Sequence, residues 1–364
     1  MNFNESSFSI LFFSTIMTQE QEFEINKWND FISENIKGDK TKKALFLYVE
    51  KLVQKDTVVI IDFNHLAMLL GIQVNTLASI IANTESFYYN FEIPKRSGGT
   101  RTISAPYPVL LNAQKWIYDN ILNKIKVHDN AKGFIKKTSI VDNARVHLER
   151  NYILKMDIEN FFPSIKMNRV ISIFRNLGYT KKISYYLSSI CCLHGTLPQG
   201  AVTSPCLSNI IAKRMDARIT GLSTRFALNY TRYADDFTLS GDILPPKIIN
   251  YIEEIVNQEG FLINKKKTCL IGKGKQKIIT GISISSGELK IPREKKREVR
   301  QNVHYVLKNG LFEHQKHINS FDPIYIERLL GYLFFWLSVE PDNNFVKSSI
   351  RKLNDYTKDL DWIN

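Results

Sequence analysis

The hydrophobic pattern in the first quarter of the chain is typical of amphipathic helices. Leu45, Val49 and Leu52 recur at helical spacing, and residues 63–81 continue the pattern. An apolar stripe of this kind is the face that a helix buries against its neighbours. The stretch from residue 18 to about residue 83 is therefore predicted to be a series of helices.

The pattern changes to strand, tight turn and strand between residues 86 and 106. The paired glycines of Ser97-Gly98-Gly99, set between basic arms, are typical of a hairpin tip. A further helix is predicted over Val109–Ile125. Short strands then alternate with helices from Ile153 to Ile284, which indicates an α+β domain. Beyond Pro292 the chain is predicted to be mostly helical and basic.

A second hairpin is predicted around the adjacent aspartates Asp235 and Asp236, because apolar residues alternate on both sides of them. A third carboxylate, Asp157, ends the apolar stretch Tyr152–Met156. Adjacent carboxylates repel each other unless a cation neutralises them, and Mg²⁺ prefers hard oxygen ligands. A strand-end aspartate and a hairpin pair can hold two ions roughly 3.5–4 Å apart, the geometry of two-metal phosphoryl transfer.

Charge points to a polyanionic partner. The 364 residues carry a net charge of +13, with 44% hydrophobic and 23% charged residues, an ordinary balance for a folded protein. Twelve Lys and Arg against three Asp and Glu lie between Lys265 and Arg300. Such a run alone is often a solvated surface, but it fits nucleic acid or an anionic membrane surface as a partner.

Membrane and secretory classes are disfavoured. No apolar run approaches the roughly 18–20 residues that span a bilayer, so no membrane partner is expected. The opening Met1–Met17 has no basic residue before its apolar core and is a poor signal peptide. The four cysteines lack metal-ligand spacing and are expected to be reduced, buried thiols in a reducing cytosol.

Four segments stand in a fixed order along the chain: Lys155-Met156-Asp157 with Phe161-Phe162, Leu197-Pro198-Gln199-Gly200-Ala201-Val202-Thr203-Ser204-Pro205, Tyr233-Ala234-Asp235-Asp236, and Asn264-Lys265-Lys266-Lys267-Thr268. Together they resemble the palm of a reverse transcriptase. Two more segments, Asn143–His147 and Ile279–Gly281, resemble signatures of the bacterial retron reverse transcriptases, with Ile in place of Val in the second. The resemblance covers roughly Phe87 to Val339.

The resemblance implies an α+β right-hand polymerase fold with fingers, palm and helical thumb. Residues 1–60 are expected to form an N-terminal helical extension, residues 61–290 the fingers and palm, and residues 291–364 an RNA-binding thumb. In the thumb, basic residues would track phosphates, and the aromatic residues are expected to lie mostly in the core. These aromatic residues are Tyr305, Phe312, Tyr332, Phe335 and Trp336.

The resemblance also implies roles for the catalytic residues. Asp157, Asp235 and Asp236 would bind two Mg²⁺ ions. Lys267 would protonate the departing pyrophosphate, although Lys265 or Lys266 in the same triplet are alternatives.

Other residues would bind the incoming deoxynucleoside triphosphate. Lys95 and Arg101 would grip the triphosphate, Gln199 and Gly200 would line the nucleotide pocket, and Phe162 would exclude a 2′-hydroxyl. Core packing is the alternative for Phe162, and a solvent-facing hairpin is the alternative for the two basic residues. His147 is expected to be a structural histidine, with a role in holding the fold or the cognate RNA.

The implied function is an RNA-directed DNA polymerase of the bacterial cytoplasm. It would copy part of a cognate structured RNA into single-stranded DNA from a guanosine 2′-hydroxyl and hold the RNA–DNA product. It would act in anti-phage defence with a separate effector protein. Two alternatives stay open: a reverse transcriptase of intron or abortive-infection type, and a nucleic-acid scaffold that synthesises DNA only as a step in assembly.

Overall fold

The computed structural model describes residues 17–95 and 98–361. The apolar start of the predicted N-terminal extension and Ser97 of the predicted hairpin tip lie outside the described residues. The helices are α1 Gln19–Asn35, α2 Asp39–Val53, α3 Phe63–Leu69, α4 Val74–Ala82, α5 Pro108–Asn120, α6 Ile140–Arg145, α7 Phe161–Ser164, α8 Met167–Leu177, α9 Lys181–Cys191, α10 Ser204–Arg225, α11 Ile248–Gln258, α12 Arg293–Asn309, α13 Leu311–His317, α14 Tyr325–Val339 and α15 Asn344–Asp361.

The strands form two hairpins and one four-stranded sheet. Three short 3-10 turns, at Thr84–Phe87, Leu122–Lys124 and Lys265–Lys267, complete the described elements. The strands are β1 Tyr88–Pro94, β2 Thr100–Pro106, β3 Tyr152–Asp157, β4 Asn229–Tyr233, β5 Asp236–Gly241, β6 Cys269–Ile271, β7 Ile278–Ile279 and β8 Ile282–Ser283.

The chain divides into two compact units. The first runs up to Lys126 and includes Ile165–Leu207, and the second comprises Val127–Ser164 and Ser208–Asn364. The long helix α10 starts in the first unit and continues in the second. The predicted boundaries at residues 60 and 290 divide the chain into domains that are each continuous in sequence. Each compact unit instead consists of two separate segments of the chain.

The first unit is built from helices and the β1–β2 hairpin. α1 begins with a capping box in which Thr18 and Gln21 exchange hydrogen bonds. β1 and β2 pair antiparallel from Tyr88 opposite Pro106 to Pro94 opposite Thr100, as predicted. The helix predicted over Val109–Ile125 ends earlier, at Asn120, because Ile121 leaves helical geometry with φ −122° and ψ −61°.

The second unit contains an antiparallel sheet with strand order β4-β5-β3-β6. The predicted hairpin of the two aspartates is formed by β4 and β5, and Asp157 ends β3 as predicted. Cys269 lies on the edge strand β6 and is exposed, and Cys206 is half-buried, so the prediction of four buried cysteines is confirmed only for Cys191 and Cys192.

The helices beyond Pro292 share one hydrophobic core with α6, β3 and the β7–β8 hairpin. Trp336 is the largest fully buried side chain there. The expectation that the thumb aromatics are mostly core was wrong, since Tyr305, Phe312 and Tyr332 are exposed by 41–65%. Each of these rings has a neighbour that only partly covers it: His314 for Tyr305, Phe321 for Phe312 and the Lys295 ammonium for Tyr332.

Among residues 17–95 and 98–361, no single helix is long and apolar enough to cross a membrane. Only the bent pair α3 and α4, which meet at 104°, passes that test jointly.

Candidate metal centre and active site

Three carboxylates meet at one end of the second unit's sheet. Asp157 ends β3 and pairs in register with Asp236, the first residue of β5, while Asp235 lies in the turn between β4 and β5. One oxygen from each of the three side chains lies within 4.8 Å of the others. The strand pairing therefore brings together residues that are almost 80 positions apart in sequence.

Backbone hydrogen bonds tie the segments around these carboxylates to each other. The Ile158 N–H donates to the Asp235 carbonyl at 3.0 Å, and the Asn264 N–H donates to the Asp157 carbonyl at 2.8 Å. The Lys267 N–H in turn donates to the Asn264 carbonyl at 3.1 Å. Three of the segments singled out in the sequence are thus fixed against one another through the main chain.

The carboxylates differ in exposure and influence one another electrostatically. Asp157 is buried, Asp235 is half-buried and Asp236 is exposed. Although the Asp236 residue is exposed overall, its carboxyl group faces the other two carboxylates and is partly shielded from water. This desolvation, the charge of Asp235 and the hydrogen bond with Asp157 raise the pKa of Asp236 to about 7. Three clustered carboxylates that repel one another are a hard-oxygen donor set that suits a divalent cation. The residues present therefore fit a divalent metal ion.

Lys267 is the lysine of the triplet that reaches this site. Its Nζ lies 2.7 Å from Oδ2 of Asp157. Burial lowers the pKa of Lys267, but the hydrogen bond and charge of Asp157 outweigh that effect and raise it overall. Lys265 instead lies 3.8 Å from Glu253. Of these two lysines, Lys267 is therefore the one that contacts the carboxylate cluster.

The sequence matches a known family over most of its length. Residues 93–305 match the family described as reverse transcriptase (RNA-dependent DNA polymerase). The retron Ec86 reverse transcriptase of Escherichia coli is 35% identical over 324 residues, covering 88% of this chain and 96% of that protein. This chain belongs to the retron reverse transcriptases. It is an RNA-directed DNA polymerase with the right-hand fold.

Other relatives are of the same kind. The retron Mx162 reverse transcriptase of Myxococcus xanthus is 32% identical, covering 66% of this chain and 57% of that protein. The retron Ec73 reverse transcriptase of Escherichia coli is 29% identical, covering 75% of this chain and 88% of that protein.

In this retron reverse transcriptase, Phe162 follows Asp157 by five residues and lies on the short helix α7. Its ring is 5.6 Å from that of Phe161 and 6.0 Å from that of Phe134. Phe161 is buried, whereas Phe162 is half-buried. The partial exposure of Phe162 is compatible with the predicted contact to a nucleotide.

The other predicted nucleotide-binding residues belong to the first unit. Lys95 and Arg101 are exposed on the β1–β2 hairpin. The Ser104 N–H of β2 donates to the Gln199 carbonyl at 2.7 Å, which joins the Gln199-Gly200 turn to the same hairpin. Gly200 has φ +122°, and an added Cβ would collide with the Ser104 carbonyl oxygen. Glycine is therefore required at this close approach.

The two retron signatures meet in the second unit. The Asn143 amide donates to the Thr280 hydroxyl at 3.4 Å, and Thr280 donates to the Ile140 carbonyl at 3.2 Å. His147 is fully buried, and its two ring nitrogens lie 2.7 Å from the hydroxyls of Ser240 and Thr231. This arrangement agrees with the predicted structural histidine and joins β4 to β5.

A buried polar network next to the β4–β5 turn, which contains Asp235, was not predicted from the sequence. Arg232 and Asp216 are both completely buried and form an ion pair at 2.7 Å. The available signal was the alternation along β4, where Leu228 and Tyr230 predict a buried position two residues later. A basic residue occupies that position, and a charge there needs a partner.

Proposed function

We propose that this retron reverse transcriptase copies part of a cognate structured non-coding RNA into single-stranded DNA. Synthesis would begin at the 2′-hydroxyl of an internal guanosine and give DNA branched from RNA through a 2′,5′ linkage. The observation that carries the proposal is the cluster of Asp157, Asp235 and Asp236 within 4.8 Å in an RNA-directed DNA polymerase. Such a donor set serves phosphoryl transfer.

The carboxylates would hold two Mg²⁺ ions. When bound, these ions would lower the pKa of the attacking hydroxyl and neutralise charge on the phosphate. The hydroxyl would release its proton to solvent as its oxygen forms a bond to the α-phosphorus of the nucleotide, and the bond from that phosphorus to pyrophosphate would break. Lys267, positioned at Asp157, would give a proton to the departing pyrophosphate.

Five residues would bind the incoming deoxynucleoside triphosphate. Lys95 and Arg101 would hold its phosphates through charge. Gln199 and Gly200 would line the nucleotide pocket, since glycine lets the backbone approach closely. Phe162 would exclude a ribonucleotide through contact between its ring and the 2′-hydroxyl.

The partners would be the cognate RNA, the RNA–DNA hybrid and a separate effector protein in anti-phage defence, in the bacterial cytoplasm. The basic character of the chain supports the nucleic-acid partner. Residues 1–60 would be an extension, residues 61–290 the fingers and palm, and residues 291–364 an RNA-binding thumb.

The test is the nucleic acid that co-purifies when the protein is expressed with its native flanking DNA. A DNA band that shifts on a denaturing gel after both ribonuclease and debranching enzyme is expected. Asp235→Asn should abolish the band, and Asp242→Asn, which changes an exposed aspartate paired with Arg150, should retain it. DNA whose mobility does not change after treatment with the debranching enzyme would refute the priming mechanism. Product that survives Asp235→Asn would refute the catalytic role and favour a scaffold.

A further inference from the structure

We propose that Arg232, held by Asp216 and Asn209, is a positioning residue that fixes the β4–β5 turn and thereby sets the place of the Asp235 carboxylate. The proposal rests on the proposed role of Asp235 as a metal ligand. It concerns how the chain keeps that ligand in place, because Arg232 itself does not belong to the carboxylate cluster.

The turn needs support because its backbone is strained. Ala234 has φ +60°, in the left-handed region that a non-glycine residue rarely adopts. Asp235 follows directly, so any relaxation of Ala234 moves the carboxylate. The Ile158 N–H holds the Asp235 carbonyl from β3, at 3.0 Å. Other contacts must hold the Ala234 side of the turn.

Arg232 supplies one of these contacts. Its Nη1 donates to the Ala234 carbonyl at 2.9 Å and to Oδ1 of Asn209 at 3.0 Å. Its Nε and Nη2 donate to the two carboxylate oxygens of Asp216 at 2.8 and 2.7 Å. The planar guanidinium therefore spans α10 and the turn with fixed geometry, a task that a lysine ammonium cannot perform.

Gly133, in the loop before α6, supplies a second contact. An added Cβ there would lie 2.6 Å from the Ala234 nitrogen and 3.2 Å from Tyr233 Cα. The Asn209 amide donates to the Gly133 carbonyl at 2.9 Å, so Asn209 links this loop to Arg232. The loop is also paired with β4, since the Arg232 N–H donates to the Asn130 carbonyl at 2.8 Å.

A role in stability alone explains this network poorly. Replacing a buried ion pair by apolar residues is often neutral or stabilising, so such a pair is weak evidence for stability. The hydrogen bond to Ala234 and the close contact of Gly133 both act on the turn, from different elements. We therefore expect their loss to change the metal site before it changes the fold.

Two variants disturb the turn in independent ways. Arg232→Lys keeps the charge opposite Asp216 but removes the fork that reaches Ala234. Gly133→Ala leaves the ion pair intact and inserts a methyl group against the turn. The backbone of Gly133 lies outside the left-handed region, so alanine is conformationally allowed there. If Arg232→Lys does not fold, Gly133→Ala still tests the proposal.

Matched controls separate turn placement from general destabilisation. Tyr230→Phe removes one hydrogen bond to Asp216 and leaves those that Arg232 donates. Gly221→Ala adds a methyl group on α10, where nothing lies within 4 Å. Both controls should keep wild-type kcat within about twofold, even where Tyr230→Phe lowers the melting temperature by a few degrees.

The measurements combine activity with readouts that need none. We would measure dTTP incorporation on a synthetic RNA template with a DNA primer, at varied Mg²⁺ and dTTP. Mn²⁺ binding to the protein alone would be followed by electron paramagnetic resonance. Hydrogen exchange would be measured on the peptide that contains residues 233–237, with Asp235→Asn as the reference for a lost ligand.

In both turn variants we expect kcat to fall about 10- to 100-fold, the scale for misplacing a reacting group by about 1 Å. The KM for dTTP should stay within about twofold, while Mn²⁺ binding weakens and residues 233–237 exchange faster. The proposal is overturned if both variants keep wild-type kcat and Mn²⁺ affinity while Asp235→Asn loses them. If Asp235→Asn itself keeps both, the proposed function fails as well, which is a distinct result.

Discussion

The buried imidazole of His147 should make the stability of this reverse transcriptase depend on pH. Its ring nitrogens are hydrogen-bonded to Ser240 and Thr231, and burial lowers the pKa of His147 from 6.5 to about 3. The folded state therefore keeps the ring neutral at a pH where the unfolded chain already binds a proton. His147→Gln removes this titration and keeps a polar side chain between the two hydroxyls.

The size of the effect follows from the two pKa values. Above pH 6.5 neither state is protonated, and the neutral ring makes its full contribution to stability. As the pH falls below 6.5, only the unfolded state binds a proton, so stability decreases by about 1.4 kcal/mol per pH unit until the folded pKa is reached. Between pH 7.5 and pH 5.0 this amounts to a loss of about 2 kcal/mol.

Urea unfolding at pH 7.5, 6.5, 5.5 and 5.0, at constant ionic strength and without added metal, measures this loss. The wild-type free energy of unfolding should fall by about 2 kcal/mol more than that of His147→Gln over the range. Ser240→Ala is the control, because it removes one hydrogen bond, worth about 1 kcal/mol, but retains the buried histidine and hence the wild-type slope. Parallel pH profiles for wild type and His147→Gln would refute the reasoning.

Three further changes test other parts of the molecule. Gly200→Ala should lower the free energy of unfolding by about 1–3 kcal/mol in urea titration, because the added Cβ would collide with a β2 carbonyl oxygen. Gly98→Ala, with φ +89° and open space around the added Cβ, should lower the free energy of unfolding by less. Equal losses in the two variants would contradict the close approach at Gly200. Trp336→Ala should lower the free energy of unfolding by about 3–5 kcal/mol, and a shift of the melting temperature below about 2 °C would contradict its place in the thumb core. Lys267→Gln should lower kcat about 100-fold in primer extension, whereas Lys265→Gln should leave kcat within about twofold of wild type. A larger loss in Lys265→Gln than in Lys267→Gln would show that Lys267 is not the proton donor.

The parts of the fold that local sequence determines were predicted well. The alternation of apolar residues around Asp235 predicted the β4–β5 hairpin, and the strand ending at Asp157 formed as expected. The paired glycines likewise predicted the β1–β2 hairpin. In each case the signal is local: an alternation of apolar and polar residues, or a glycine in the turn, lies within about a dozen residues of the hairpin that it predicts.

The features that depend on distant partners were not predicted. The exposure of Phe312 and Cys269 depends on which elements cover them, and their own segments do not encode that. The burial of Arg232 depends on Asp216, a residue of another helix. The carboxylate cluster was predictable only because the order of the motifs resembled a family, since an Asp-Asp pair alone is usually a turn.

Buried polar groups as well as apolar side chains hold the hairpin that bears Asp235. His147 bridges β4 and β5 through two hydroxyls, and Arg232 fixes the turn at Ala234. Apolar burial is non-directional, so it stabilises a hairpin without fixing its tip to a fraction of an ångström. Hydrogen bonds require specific distances and angles, and a fully satisfied buried network rigidifies its surroundings. A metal site tolerates little displacement of its ligands. Buried polar residues next to this turn therefore fix the position of the Asp235 carboxylate, whereas apolar side chains of the same volume would only stabilise the fold.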